Sequence, residues 1–212
     1  MMNNRKQINI QYYDSPCGRL VLASFADSLC LCDWSDNPFA ERNMRRLTRG
    51  MNVSFKTETT SVLEETKRQL DEYFAGKRKA FDIQLQLTGT DFQNEVWNAL
   101  LDIPYGATKS YKDIARYIGK PKAVRAVAGA IGANGISILI PCHRVTGSDH
   151  SLTGYAGGLE AKRGYIYKKI RLSERREKFA CIKLLQYQYK NRNFALQREK
   201  QRTQTERFLI IS

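Results

Sequence analysis

Histidine is nearly absent from this chain of 212 residues: there are two, His143 and His150, both in the C-terminal half. That scarcity decides how Cys17 and Cys30-x-Cys32 are read, because no histidine stands near enough in sequence to complete a zinc set. They read as buried strand cysteines, with no metal site expected. Long apolar runs are missing too, and stretches such as Ile136 to Ile140 fall far short of a bilayer's thickness. No membrane partner is expected. The N-terminus, MMNNRKQINIQYY, has no apolar leader and no cleavage-site pattern. A cytoplasmic protein, or a nuclear one in a eukaryote, is therefore expected rather than a secreted one. Five cysteines, an odd number without secretory context, fit a reducing compartment better than a disulfide framework. Internal repeats and low-complexity segments are also lacking.

Acidic residues are few: 21 Asp or Glu against 35 Lys or Arg, a formal net charge of +14. Such a balance suits a polyanionic partner. Its distribution qualifies the point. From Lys162 onward there are 15 basic and 4 acidic residues, a net of +11, which leaves +3 for Met1 to Ala161. Most of the basicity belongs to the tail, read either as a solvated segment or as an arm that binds phosphate backbones.

The first third reads as a small α/β unit. Strands are expected at Ile8–Tyr13, Leu20–Phe25 and Leu29–Trp34, joined by turns at Ser15-Pro16-Cys17-Gly18 and Ala26-Asp27-Ser28. Asn37-Pro38 opens a helical stretch to about Gly50. A second helix near Ser61–Phe74 carries Val62, Thr66, Leu70 and Tyr73 on one face and closes at Gly76. Phe81, Ile83, Leu85 and Leu87 alternate with polar residues as an extended connector or edge strand. Thr88-Gly89-Thr90 marks a domain boundary.

The second unit is helical. Thr90-x-x-Gln93 is a capping box for a helix with Phe92, Val96, Leu100 and Ile103 on its apolar face, stopped at Pro104. Ser110-x-x-Asp113 caps a short second helix with Ile114 and Ile118 inward, and Gly119 terminates it. Pro121 is expected at the first position of a third helix, KAVRAVAGAIGAN. The pair forms a helix-turn-helix pattern. Ala123, Ala126, Ala128, Gly129 and Ala130 leave the third helix nearly bare, with Arg125 its single arginine. It is either a helix packed closely on its neighbours or one slim enough for a narrow groove. Then comes ISILIPCHRV, Ile136 to Val145: an expected buried strand, a stop at Pro141, and a thiol beside an imidazole.

Four blocks carry a resemblance: FQNEVWNALLDIPYGATKSYKDIA, PKAVRAVAGAIGAN, ILIPCHRV and LTGYAGGLEAKR. In this order and spacing they resemble the alkylguanine-DNA alkyltransferases, the methylated-DNA–protein-cysteine methyltransferases. SPCGRLVLA and LCLCDW resemble that family's N-terminal domain, so the likeness covers roughly Ile8 to Arg163. The expected fold is an α/β N-terminal domain, a small antiparallel sheet plus helices, over residues 1–88. A mostly helical, winged-helix-like C-terminal domain with the helix-turn-helix follows over 89–165, and a divergent basic extension over 166–212.

The resemblance implies that a monomer without cofactor acts on double-stranded DNA from the minor groove. An alkylated guanine, or O4-alkylthymine, is rotated out of the duplex, and its alkyl group moves irreversibly to a cysteine. Cys142 matches the acceptor, His143 the residue that takes its proton through a water, and Asn134 the asparagine that orders the region. Tyr111 matches the tyrosine that assists nucleotide rotation and donates to the departing guanine. Arg125 matches the arginine that fills the vacated position in the duplex, with Ala126 and Gly129 on the same minor-groove helix. Val145, Gly154, Tyr155, Ala156 and Gly157 match the walls of the guanine pocket.

The sequence departs from the family after this. The glutamate that completes its Cys-His-Glu triad lies 27 residues beyond the cysteine, where this chain has Lys169. Gly164 replaces a bulky residue, often tryptophan, and Glu174 is the nearest downstream carboxylate. A carboxylate would hold the imidazole and stabilise its charged form, whereas a lysine disfavours that form. A lesion-binding protein with impaired transfer is thus the alternative to an active transferase. Family members that bind without reacting replace the cysteine, which is retained here. A transcription regulator needs several polar side chains on its reading helix, and the Ala- and Gly-rich third helix has too few.

Overall fold

The computed structural model describes residues 6–35, 40–49 and 53–149. Its N-terminal part is built on a sheet of strands β1 (Lys6–Ser15), β2 (Gly18–Phe25), β3 (Ser28–Trp34) and β4 (Val53–Lys56), in the order β3-β2-β1-β4. The first three strands form the expected antiparallel meander. β4 was not expected from the sequence. It is short and half exposed, and it joins β1 in parallel, which makes the sheet mixed. Helix α1 (Ala40–Thr48) lies between β3 and β4, and α2 (Ser61–Phe74) follows.

Both faces of the sheet are covered, and a bulge sorts the β3 side chains between them. Ala23 pairs with Leu31 and Ser24 with Leu29, so Cys30 is the extra residue. Without the bulge, Cys30 and Cys32 would share a face. Instead Cys30 and Leu31 pack with Ile8, Val21, Ala23 and Leu47, while Cys32 packs with Leu20, Leu22 and Leu29 in the main core. The two thiols therefore do not converge. Among the described residues, no three His, Cys, Asp or Glu side chains gather as metal ligands.

α2 keeps its expected bounds, though its buried face centres on Leu63, Thr66, Gln69, Leu70 and Tyr73, with Val62 at the margin. Its end is a Schellman motif: the Lys77 amide donates to Glu72 and that of Gly76 to Tyr73, with Gly76 at φ 77°. The connector that follows lies along the free edge of β3. The Leu29 amide donates to Gln84 O, and the Gln86 amide to Leu29 O, both at 2.9 Å. Gly89 is needed for close approach, since a Cβ there would stand 2.6 Å from the Trp97 ring.

Helix α3 (Asp91–Leu101) starts in the expected capping box between Thr90 and Gln93. A two-residue strand β5 (Lys109–Ser110) leads into α4 (Tyr111–Tyr117), capped reciprocally by Ser110 and Asp113. α4 ends in a second Schellman motif at Gly119, at φ 70°. Helix α5 is shorter than expected. It spans Val124–Gly132, because a turn closed by the Ala123 amide on Lys120 O holds Pro121 outside the helix. One apolar cluster runs from the sheet (Leu20, Leu22, Leu29) through α2 and α3 to Ile136–Ile140. Among the described residues, no helix is long and apolar enough to cross a membrane.

Candidate active site

Ile136 to Ile140 is buried but is not the expected strand. Only its start pairs with the sheet: the Cys32 amide donates to Gly135 O at 2.9 Å, and the Ser137 amide to Cys32 O at 2.6 Å. The chain then turns back on itself, with the Ile140 amide donating to Ile136 O at 3.0 Å. Ile138 adopts φ 74°, a left-handed conformation that a β-branched side chain strongly resists. It is fully buried there among the residues of the main core, which hold it in place. The local apolar content predicted a strand; a side chain inside the loop, Asn134, provides an alternative partner for the backbone.

Asn134 is buried, and its amide occupies the middle of the loop. Oδ1 accepts from the Ile136 amide at 2.9 Å, which fixes which end of the side chain is which. Nδ2 then faces three acceptors: Ile136 O at 3.3 Å, Ile140 O at 3.2 Å and Cys142 Sγ at 3.2 Å. A flipped amide would set an oxygen against two carbonyls. The donor is thus committed to the sulfur and the loop carbonyls that flank it.

Cys142 opens a single 3-10 turn, Cys142–Arg144, directly after Pro141. Its amide donates to Ile140 O at 2.8 Å, and the Arg144 amide to Pro141 O at 2.9 Å. The thiol is 7% exposed and His143 1%, so a reactant must be brought to them in a shape that fits. Strand β6 (Val145–Thr146) follows and pairs in parallel with Lys109–Ser110. Ser110 is the cap of α4, so this ladder ties the start of α4, at Tyr111, to the strand that leaves the Cys142 turn. Val145 is fully buried at the same place, and Tyr111 packs half-buried on that core.

Arg125, Ala126 and Gly129 lie apart from this cluster, on the exposed face of α5. No atom lies within 4 Å of where a Cβ would stand on Gly129 or Gly132. Packing inside the protein therefore does not require these glycines; the buried side of α5 uses Val127, Ala130 and Ile131 instead. Of the remaining residues picked out by sequence, Gly154, Tyr155, Ala156, Gly157, Gly164, Lys169 and Glu174 lie outside the described residues.

Two arginines that sequence reading did not single out hold the site. Arg144 Nη1 donates to Ile103 O at 2.7 Å, beyond the end of α3, and its guanidinium sits over the Tyr105 ring. Arg46, on α1, donates through Nη2 to Ala133 O at 2.8 Å, one residue before Asn134. No local pattern announces either contact, because each joins a side chain to a distant carbonyl. Burial, then the Asp33 carboxylate and Cys142, push the Cys32 thiol up, so Cys32 stays neutral beside the Cys142 turn. Together the parts form a buried thiol with an amide donor at its sulfur and an imidazole next in the chain. That arrangement suits a nucleophile attacking carbon.

Both parts of the chain match known proteins. Residues 8–87 match the family model "6-O-methylguanine DNA methyltransferase, ribonuclease-like domain", and residues 91–168 match "6-O-methylguanine DNA methyltransferase, DNA binding domain". A methylated-DNA--protein-cysteine methyltransferase of Mycobacterium tuberculosis is 43% identical over 161 residues, 75% of this chain and 90% of that protein. The protein of the same name from Methanosarcina barkeri is 56% identical over 105 residues, 50% of this chain. The chain spans about two thirds of that relative, 66% of its length. A crystal structure of Mycobacterium tuberculosis OGT in complex with DNA aligns with a TM-score of 0.65 and 40% identity, covering 78% of this chain and 94% of that one.

Proposed function

Because the chain belongs to the 6-O-methylguanine DNA methyltransferase family, we propose that it repairs duplex DNA by moving a methyl or other small alkyl group from the O6 oxygen of guanine to its own Cys142. The observation that carries this reading is the Asn134 amide 3.2 Å from Cys142 Sγ in a buried turn, with His143 next to it.

In the reaction, Cys142 Sγ attacks the alkyl carbon, an S–C bond forms, and the C–O6 bond breaks with its electrons leaving on the purine. His143 takes the thiol proton, and the Tyr111 hydroxyl donates to the departing guanine as charge develops on it. A stacked base is out of reach of a thiol that is 7% exposed, so the nucleotide must first rotate out of the duplex. Arg125 takes its place, since a planar guanidinium both stacks and donates. The bare face of α5 around Ala126 and Gly129 lets the helix lie in the minor groove. The product is a thioether with no leaving route at neutral pH, so each molecule acts once. Titrating the protein with an excess of O6-methylguanine duplex tests this: repaired guanine should plateau at one per protein. Continued repair beyond one equivalent sinks the single-use reading.

Lys169, at the position of the family's triad glutamate, favours a second reading, a protein that binds the lesion and transfers slowly. Lys169→Glu should then raise the transfer rate. An already rapid wild type that does not respond to Lys169→Glu removes this alternative.

A further inference from the structure

The contact of Arg46 with the loop before Asn134 belongs to a chain of groups that begins in the sheet. Asp33, buried on β3, accepts the Trp34 amide at 2.9 Å and the Asn43 Nδ2 at 2.7 Å. Asn43 Oδ1 in turn accepts from Arg46 Nη2 at 2.9 Å, and the same nitrogen reaches Ala133 O at 2.8 Å. The guanidinium lies 5.3 Å from the centre of the Trp97 ring, and the Trp97 indole donates to Ala130 O at 2.8 Å. Ala130 and Ala133 are at the C-terminal end of α5, where carbonyls lack helical partners and a cation is favoured. Burial pulls the Arg46 guanidinium down from its usual value and nearby Arg42 adds to this, while Asp33 opposes both. An arginine nonetheless stays charged under such shifts.

We infer that Arg46 is a positioning residue for the transfer step: it fixes Ala133, and through it the Asn134 amide against Cys142 Sγ. The inference rests on the reading of Cys142 as alkyl acceptor. The geometry favours it because Asn134 has two anchors. On its C-terminal side the β3 backbone grips Gly135 and Ser137 at Cys32. On its N-terminal side, Arg46 holds Ala133. Releasing one anchor leaves the fold in place but lets the donor drift from the sulfur, and reaction rates fall steeply with displacements of an ångström or less.

The test compares full-length wild type, Arg46→Met and Arg46→Lys with the O6-methylguanine duplex, measuring duplex Kd and the first-order rate of methyl transfer separately. Arg46→Met should lower the transfer rate about tenfold or more while Kd stays within about twofold. Arg46→Lys, which still donates to Ala133 O, should recover most of the rate. If Arg46→Met does not accumulate folded, Arg46→Gln, which keeps a polar end too short for Ala133 O, replaces it with the same expected loss. Transfer at the wild-type rate by a folded Met or Gln variant overturns the inference, as does a loss that Arg46→Lys fails to restore. A wild type that transfers nothing instead overturns the acceptor reading of Cys142, a result distinguishable from both.

Discussion

At the scale of the residue, the site depends on one side-chain amide. Asn134 serves four partners at once, so its loss should affect both stability and chemistry. Asn134→Ala leaves the buried Ile136 amide without its partner, a loss of about 1–3 kcal/mol, while Ile136 O and Ile140 O each keep one backbone donor. Urea unfolding should show a destabilisation of about that size, with slower transfer to Cys142 in the molecules that remain folded. An unchanged midpoint would mean that water replaces the amide. Asn134, Cys142 and His143 were legible in the sequence because PCHRV and its upstream blocks are distinctive. Arg46, Arg144 and the left-handed Ile138 were not, since a contact between a guanidinium and a remote carbonyl leaves no periodicity.

At the scale of the element, the capping boxes and terminal glycines proved dependable, whereas Pro121 did not open α5. Thr90 with Gln93 and Ser110 with Asp113 form reciprocal caps within four residues, and the glycines after α2 and α4 close Schellman motifs. Elements whose identity depends on distant partners were missed or misassigned. β4 exists only by pairing with β1, and Ile136–Ile140, apolar enough for a strand, folds instead around a polar side chain. The α5 face gives a sharp test. Nothing touches Gly129, so Gly129→Ala should stabilise the protein by roughly 0.5–1 kcal/mol through helix propensity. Gly129→Phe should fold equally well yet weaken duplex binding at least about tenfold, as measured by fluorescence anisotropy, if this face lies in the groove. Undiminished binding by Gly129→Phe would move the DNA contact elsewhere.

β3 carries a second element-scale consequence, in its two buried thiols. Burial pushes Cys30 from its ordinary value of 9.0 up to about 12, against a smaller opposing effect of its hydrogen bond, and raises Cys32 as well. An acid whose folded pKa exceeds its unfolded one contributes stability that is complete below the unfolded value and is lost as pH rises toward the folded one. Stability should therefore be flat up to about pH 9 and then fall, by up to about 1.4 kcal/mol per pH unit for each thiol. Urea midpoints from pH 7 to 10.5 measure this. Cys30→Ala should flatten the decline, and a decline that this variant leaves untouched would have to come from other groups.

At the scale of the whole molecule, the sheet and the helical part share one core, and the Cys142 loop is built where they meet. The free edge of β3 supplies backbone partners to Gly135 and Ser137, α1 supplies Arg46, and α3 receives Arg144 at its end. The N-terminal part thus contributes directly to the geometry of the site, although its sequence carries little of the family's distinctive pattern. The three-strand meander and the helix-turn-helix were readable from alternation, turns and caps. How the two parts join was not, because it depends on a shared core and on contacts between residues far apart in sequence.

The central claim is that Cys142 is the alkyl acceptor, and mass spectrometry of the protein after reaction tests it most directly. Incubated with a saturating duplex containing O6-methylguanine and then digested, the full-length protein should gain a single methyl, located on the peptide that contains Cys142. No mass gain, or a methyl carried by Cys17 or another residue instead, would contradict the account.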